Sequence, residues 1–176
     1  MTRALWGYIE AHDLRLMRRM NDWRPPRWFR AWMLLVTRLG DGWLWYALAL
    51  VIFFFGGNQR FVALLSAAAA VAAGTVLFRL VKTASRRMRP CHLAAHCWAK
   101  ILPPDQFSFP SGHTICAFAI AISISHFYPQ CYAYLLFLAA SIALSRIVLG
   151  MHFLSDVLAG AVIGIALAYA SVRFFA

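Results

Sequence analysis

Three ionisable side chains interrupt an otherwise apolar stretch near the C-terminus, SRIVLGMHFLSD, from Ser145 to Asp156. An ionisable group at membrane depth costs roughly 2.5–3.5 kcal/mol on insertion scales, so Arg146, His152 and Asp156 need a polar cavity or one another. His152 and Asp156 share one face if the segment after Met151 is helical. The carboxylate can then hold one imidazole nitrogen and leave the other free for chemistry. Arg146 lies across Gly150, and a turn at that glycine returns the guanidinium to the imidazole, with an anion bound between them. Helix-end charges at a membrane interface explain the same residues without chemistry.

Two further groups suit an anion. Lys82 is followed by Arg89-Pro90, and Pro110-Ser111-Gly112-His113 opens an apolar run. A phosphate ester carries negative charge on its non-bridging oxygens, and that charge shifts in the transition state, so several fixed donors are wanted around one point. Lys82, Arg89 and Arg146 supply cations and Ser111 a hydroxyl. Gly112 lets a backbone N–H approach closely at a helix start, where the dipole favours anions. Taken alone, Pro-Ser-Gly is an ordinary helix start.

The elements that must position these groups are apolar helices. Of the 176 residues 62% are hydrophobic and 13% charged, and the mean hydropathy is +0.67. Soluble domains carry about 25% charged residues, so the chain reads as an all-α integral membrane helical bundle. The net charge of +11 sits in short segments between apolar runs, where phospholipid headgroups and phosphorylated substrates lie, and this ranks nucleic acid well below membrane and phosphate as a partner. No cleavable leader pattern opens the chain. Residues 1–40 read as two amphipathic interfacial helices divided at Pro25-Pro26, rich in arginine and tryptophan. Residues 41–176 read as the transmembrane part of a protein that is one domain overall.

Five spans are expected: Gly42 to Phe55, Phe61 running on to Lys82, Ser111 to Tyr128, Cys131 to Ser145 and Phe153 to Val172. A short kinked span near Trp28 to Leu39 would make six. Small residues Ala159, Gly160, Ala161 and Gly164 allow close packing of the last helix. With five spans, the end of the second, the start of the third, the end of the fourth and the start of the fifth share one membrane face. Lys82, Arg89, His113, Arg146, His152 and Asp156 are thereby gathered at one level. The N-terminus lies on that face. Arginine density in residues 1–39 makes it cytoplasmic by the positive-inside rule, while the need of Lys82, Arg89 and Arg146 for phosphate weakens that assignment.

These three groups, in this order and on matching helix ends, resemble the signature motifs of the type 2 phosphatidic acid phosphatase superfamily, which includes vanadium haloperoxidases. The resemblance covers about Lys82 to Asp156. It implies that His152 attacks phosphorus to form a phosphohistidine, that Asp156 orients it, and that His113 protonates the leaving oxygen and then activates water. It implies no metal and no cofactor, and the residues agree: Asp156 is engaged and Asp105 stands apart, so no carboxylate cluster offers itself to magnesium. The substrate class is a lipid mono- or diphosphate, with undecaprenyl diphosphate first and phosphatidylglycerophosphate or phosphatidate next. A bacterial inner membrane follows from that class, and oligomeric state is left open. The competing readings are a lipid phosphotransferase, halide oxidation on bound vanadate, and a non-catalytic membrane scaffold or transporter. The segment Cys91 to Cys97 lies outside the motifs, and unpaired loop residues, a Cys91–Cys97 disulfide or a zinc site are its three readings.

Overall fold

The computed structural model describes residues 2–23, 25–93 and 105–176. The Cys91–Cys97 pairing falls outside them, because Cys97 does; Cys91, Cys116 and Cys131 are free thiols. Eight α-helices run in chain order among the described residues: α1 (Thr2–Asp22), α2 (Arg27–Leu39), α3 (Trp43–Phe55), α4 (Arg60–Ser85), the single turn α5 (Pro90–Leu93), α6 (Gly112–Phe127), α7 (Tyr132–Val148) and α8 (Leu154–Phe175).

The boundaries follow from local chemistry. Pro25-Pro26 separates α1 from α2, since proline removes a backbone donor and clashes with the preceding turn. Gly42, at φ 129°, makes the turn into α3 that residues with a Cβ resist. The alanine run inside α4 is strong helix-forming sequence. That helix ends at Arg86, whose φ of 47° turns its N–H onto the Lys82 carbonyl at 3.2 Å, a left-handed cap of the kind that closes many helices.

The protein is an integral membrane helical bundle. The segments Gly57–Ser85, Pro129–Val148 and Leu154–Phe175 are each long and apolar enough to cross a bilayer. α6 is apolar but shorter, at 16 residues. α2 and α3 meet the same test only as a pair, bent by 61°, so the region near Trp28 to Leu39 joins the Gly42 to Phe55 segment in place of forming a sixth span of its own. Large apolar side chains such as Leu50, Phe54, Val76, Phe137 and Val162 are exposed on the outer surface, where acyl chains rather than water solvate them.

α6 is the centre, packed against α4, α7 and α8. The contacts are made by small residues, which let helix backbones approach where lipid offers no hydrophobic drive to association. A Cβ on Gly164 would stand 2.5 Å from the Ile115 carbonyl oxygen, and one on Gly160 would stand 2.8 Å from that of Ser111. Buried Ala63, Ala67, Ala117, Ala121 and Ala139 line the interior between α4, α6 and α7.

Candidate functional site

The turn after α7 is built as the glycine suggested. Gly150 adopts φ 68°, and the backbone N–H groups of Met151 and His152 both reach the Arg146 carbonyl at 3.0 Å. The chain therefore doubles back and brings His152 down beside the cations. The loop before α6 is fastened to the same place. Ser108 N donates to the Arg87 carbonyl at 2.7 Å, Cys91 N to that of Gly150 at 3.1 Å and Ser111 N to that of Asp156 at 3.1 Å.

Lys82, Arg89, Gly112, His113, Arg146 and His152 all line one cavity of about 520 Å³. Its floor continues between α3, α4 and α6 as an apolar arm lined by Leu48, Leu64, Ala67, Val71, Ile120 and Ile124. Five cationic or imidazole groups thus stand at the head of a lipophilic slot, although they come from three separate stretches of the chain.

His152 is buried, 2% exposed. Arg89 Nη1 lies 3.0 Å from its Nε2, and because a guanidinium can only donate, Nε2 is the accepting, unprotonated nitrogen. The ring proton then sits on Nδ1, which faces Asp156 Oδ2 at 3.6 Å. That separation is longer than a hydrogen bond, and Nδ1 has no other partner among the described residues. Burial pushes the imidazole well below its ordinary value of 6.5, to about 3; Asp156 opposes this, while Arg89 and Arg146 reinforce it. His152 is consequently neutral, the form in which imidazole is a nucleophile.

Asp156 is fully buried and does more than face the histidine. Its Oδ2 accepts the Phe153 N–H at 2.9 Å, reaching back to satisfy a free donor at the start of α8. Its Oδ1 accepts from Arg87 Nη1 at 2.6 Å. Arg87 also donates to Asp13 Oδ2 at 2.7 Å and to Ser155 Oγ at 2.7 Å, and Asp13 takes the Ser155 N–H at 3.2 Å. A buried network of two carboxylates and one guanidinium thus joins α1, the loop and α8 directly behind His152.

Three placements differ from sequence expectation. Asp105 does not stand apart: its Oδ2 is 2.8 Å from Lys82 Nζ and its Oδ1 is 2.9 Å from Arg89 Nη2. Burial works against this carboxyl's ionisation, but the hydrogen bonds from Lys82 and Arg89 outweigh it and hold the group below the usual carboxylate range. Ser111 is fully buried, and its hydroxyl accepts from Thr114 Oγ1 at 2.9 Å instead of lining the cavity. Arg146 is buried with Nη1 on Thr37 Oγ1 at 2.7 Å, and Arg89, not Arg146, touches the imidazole. The Arg146 Nε has no partner among the described residues, a buried donor that an anion satisfies.

His113 Nε2 lies 2.9 Å from Asp41 Oδ1, a partner from the turn between α2 and α3. Asp13, Asp41 and Arg87 escape a reading by motif because each lies outside the matching residue types. A signal for them does exist. The chain has only six acidic residues, and Asp13, Asp41, Asp105 and Asp156 are spent on this one region. Among the described residues no three side chains of His, Cys, Asp or Glu come together as a metal site.

Apolar helices that hold three cations and two histidines at the head of a lipophilic cavity define a membrane-embedded enzyme acting on anionic lipid. The chain belongs to the PAP2 superfamily, whose family model matches residues 61–176. It is a hydrolase of phosphoric esters, a phosphatase of membrane lipids. It is similar to LpxE of Aquifex aeolicus, with 32% identity and a TM-score of 0.75 over 91% of this chain and 94% of that one. Its fold is also like that of a transmembrane PAP2-type phosphatidylglycerolphosphate phosphatase from Bacillus subtilis, at 24% identity and a TM-score of 0.72 over 95% of this chain and 86% of that one. Among curated protein sequences none matches.

Proposed function

We propose that this protein removes phosphate from a lipid mono- or diphosphate without a metal, through a phosphohistidine on His152, in a bacterial inner membrane. Undecaprenyl diphosphate is the first substrate to test. Phosphatidylglycerophosphate is the second, favoured by the activity named for the Bacillus subtilis relation, and phosphatidate the third. The observation that carries the reading is the continuity of the cavity, with Lys82, Arg89, Arg146, His113 and His152 at its head and an apolar arm below. The head suits a phosphate and the arm a hydrocarbon tail entering from the bilayer.

The geometry supports the following roles. Arg89, Arg146 and Lys82 bind the non-bridging oxygens, with the Gly112 N–H at the start of α6 beside them. Asp105 yields Lys82 and Arg89 to the substrate. His152 Nε2 attacks phosphorus as the bond to the lipid oxygen breaks, and His113 gives that oxygen its proton. Positive charge then develops on the His152 ring, where Asp156 stabilises it through Nδ1–H. In the second step His113 takes a proton from water, whose oxygen attacks phosphorus. The P–N bond breaks and inorganic phosphate leaves, with both histidines restored. Residues 1–40 dock as interfacial helices on the transmembrane part, and the whole acts as one domain.

The test is phosphate release from the three lipids in detergent, wild type beside His152→Ala. Release by the wild type and none by a folded variant is expected. No release from any lipid by the wild type would favour a scaffold.

A further inference from the structure

Residues 27–55 precede the matched family segment, yet they reach the site at two points. Thr37 on α2 accepts from Arg146 at 2.7 Å, and Asp41 in the following turn meets His113 at 2.9 Å. Both Asp41 and His113 line the cavity head. The turn is held firmly enough to aim a carboxylate. Asp41 N–H donates to the Arg38 carbonyl at 3.1 Å, and a Cβ on Gly40 would lie 3.1 Å from Ile142 of α7. Gly42 takes a φ of 129°, which lets the chain leave the turn directly into α3.

From this geometry we infer that Asp41 is the positioning residue for the histidine that transfers protons, so that the bent α2–α3 pair completes the active site from outside the family motifs. This rests on the reading of His113 given above. A carboxylate at 2.9 Å fixes the imidazole's rotation and decides which nitrogen carries hydrogen. It also offsets the repulsion that Arg146, Arg89 and Lys82, facing the same cavity, exert on a protonated ring. The two histidines then each have their own aspartate: Asp156 behind the nucleophile and Asp41 beside the acid. As the lipid's P–O bond breaks, the proton moves from His113 to the leaving oxygen, and the negative charge of Asp41 stays beside the ring until water returns a proton to it.

A positioning role of this kind is visible in the leaving group. An alkoxide needs a proton to depart, whereas p-nitrophenolate does not. Single-turnover rates are to be measured in detergent for dioctanoyl phosphatidate and p-nitrophenyl phosphate, with wild type, Asp41→Asn and Asp41→Ala. Both substitutions should slow the alkyl substrate by about 10–100-fold and the aryl one by less than about threefold, in keeping with the size of general-acid effects. Asp41→Glu, which keeps the carboxylate, should recover part of the alkyl rate. In a His113→Ala background, Asp41→Asn should cost nothing more. Equal slowing of both substrates, or no slowing of either, in variants that unfold at the wild-type temperature would overturn the inference. Loss of both activities in the wild type, or their survival in His152→Ala, would instead contradict the phosphatase mechanism itself.

Discussion

At the scale of single residues, the site is a set of buried charges that hold one another. Arg87 is the residue on which most depends, since it separates Asp13 and Asp156, which are 3% and 0% exposed. Removing one partner from a buried ion network leaves the others uncompensated and costs about 3–5 kcal/mol. Arg87→Ala should therefore destabilise the detergent-solubilised protein by that amount, seen in its denaturation midpoint, and Arg87→Lys should recover only part, because one ammonium cannot reach all three oxygens. His152 makes a second prediction through pH. The unfolded chain takes up a proton there near 6.5, whereas burial holds the folded group to about 3. Between those values the unfolded state binds more protons, so folding stability falls as the solution is acidified. Replacing His152 by Gln should flatten this acid limb, by on the order of 1–2 kcal/mol between about pH 6.5 and pH 5; thermal unfolding across that range measures it. Lys82, Arg89, His113, Arg146 and His152 were legible as a group because ionisable residues in apolar sequence stand out. Asp41 and Arg87 were not, since a charge at a helix end needs no explanation until its partner, 72 or 69 positions away, is known.

At the scale of helices, the site depends on how closely α6 approaches α8. Gly164 and Gly160 sit where a Cβ would meet backbone oxygen of α6, and backbone cannot step aside as a flexible side chain can. Gly164→Leu should cost about 1–3 kcal/mol or more through overpacking. Gly160→Ala should have a smaller effect on stability and a larger one on phosphate release, because it pushes on the Ser111 carbonyl at the turn that presents Gly112 and His113. Unfolding midpoints and initial rates on the two variants separate these effects. The positions of α3, α4, α6, α7 and α8 followed from uncharged runs and their proline and glycine ends, and the small-residue stripe of α8 was visible too. Sequence could not show that α2 and α3 form one bent pair. Periodicity describes a helix and its faces, but the 61° angle is set at Gly40–Asp41–Gly42 by contacts with α7 and His113.

At the scale of the molecule, a count of five alternating crossings put the motifs at one level of the bundle, and the structure gathers Lys82, Arg89, His113, Arg146 and His152 at one cavity head, although its described residues hold three such spans, or four if the bent pair is one. α1 reaches the back of that site through Asp13, which holds Arg87 and Ser155. Chemistry done by cations and imidazoles alone should not respond to removal of divalent ions. Phosphate release in excess EDTA should match that in untreated protein; activity lost with EDTA and regained only with a divalent ion would contradict this. If phosphorus passes through His152, the phosphohistidine can be trapped. The protein in detergent is mixed with phosphorus-labelled p-nitrophenyl phosphate, quenched in alkali within milliseconds, and digested to locate the label. An alkali-stable, acid-labile label is expected on the peptide carrying His152, stronger in His113→Ala, where water is no longer activated, and absent from His152→Ala. A His152→Ala protein that still hydrolyses lipid phosphate, or turnover in which no label ever reaches His152, would contradict that route.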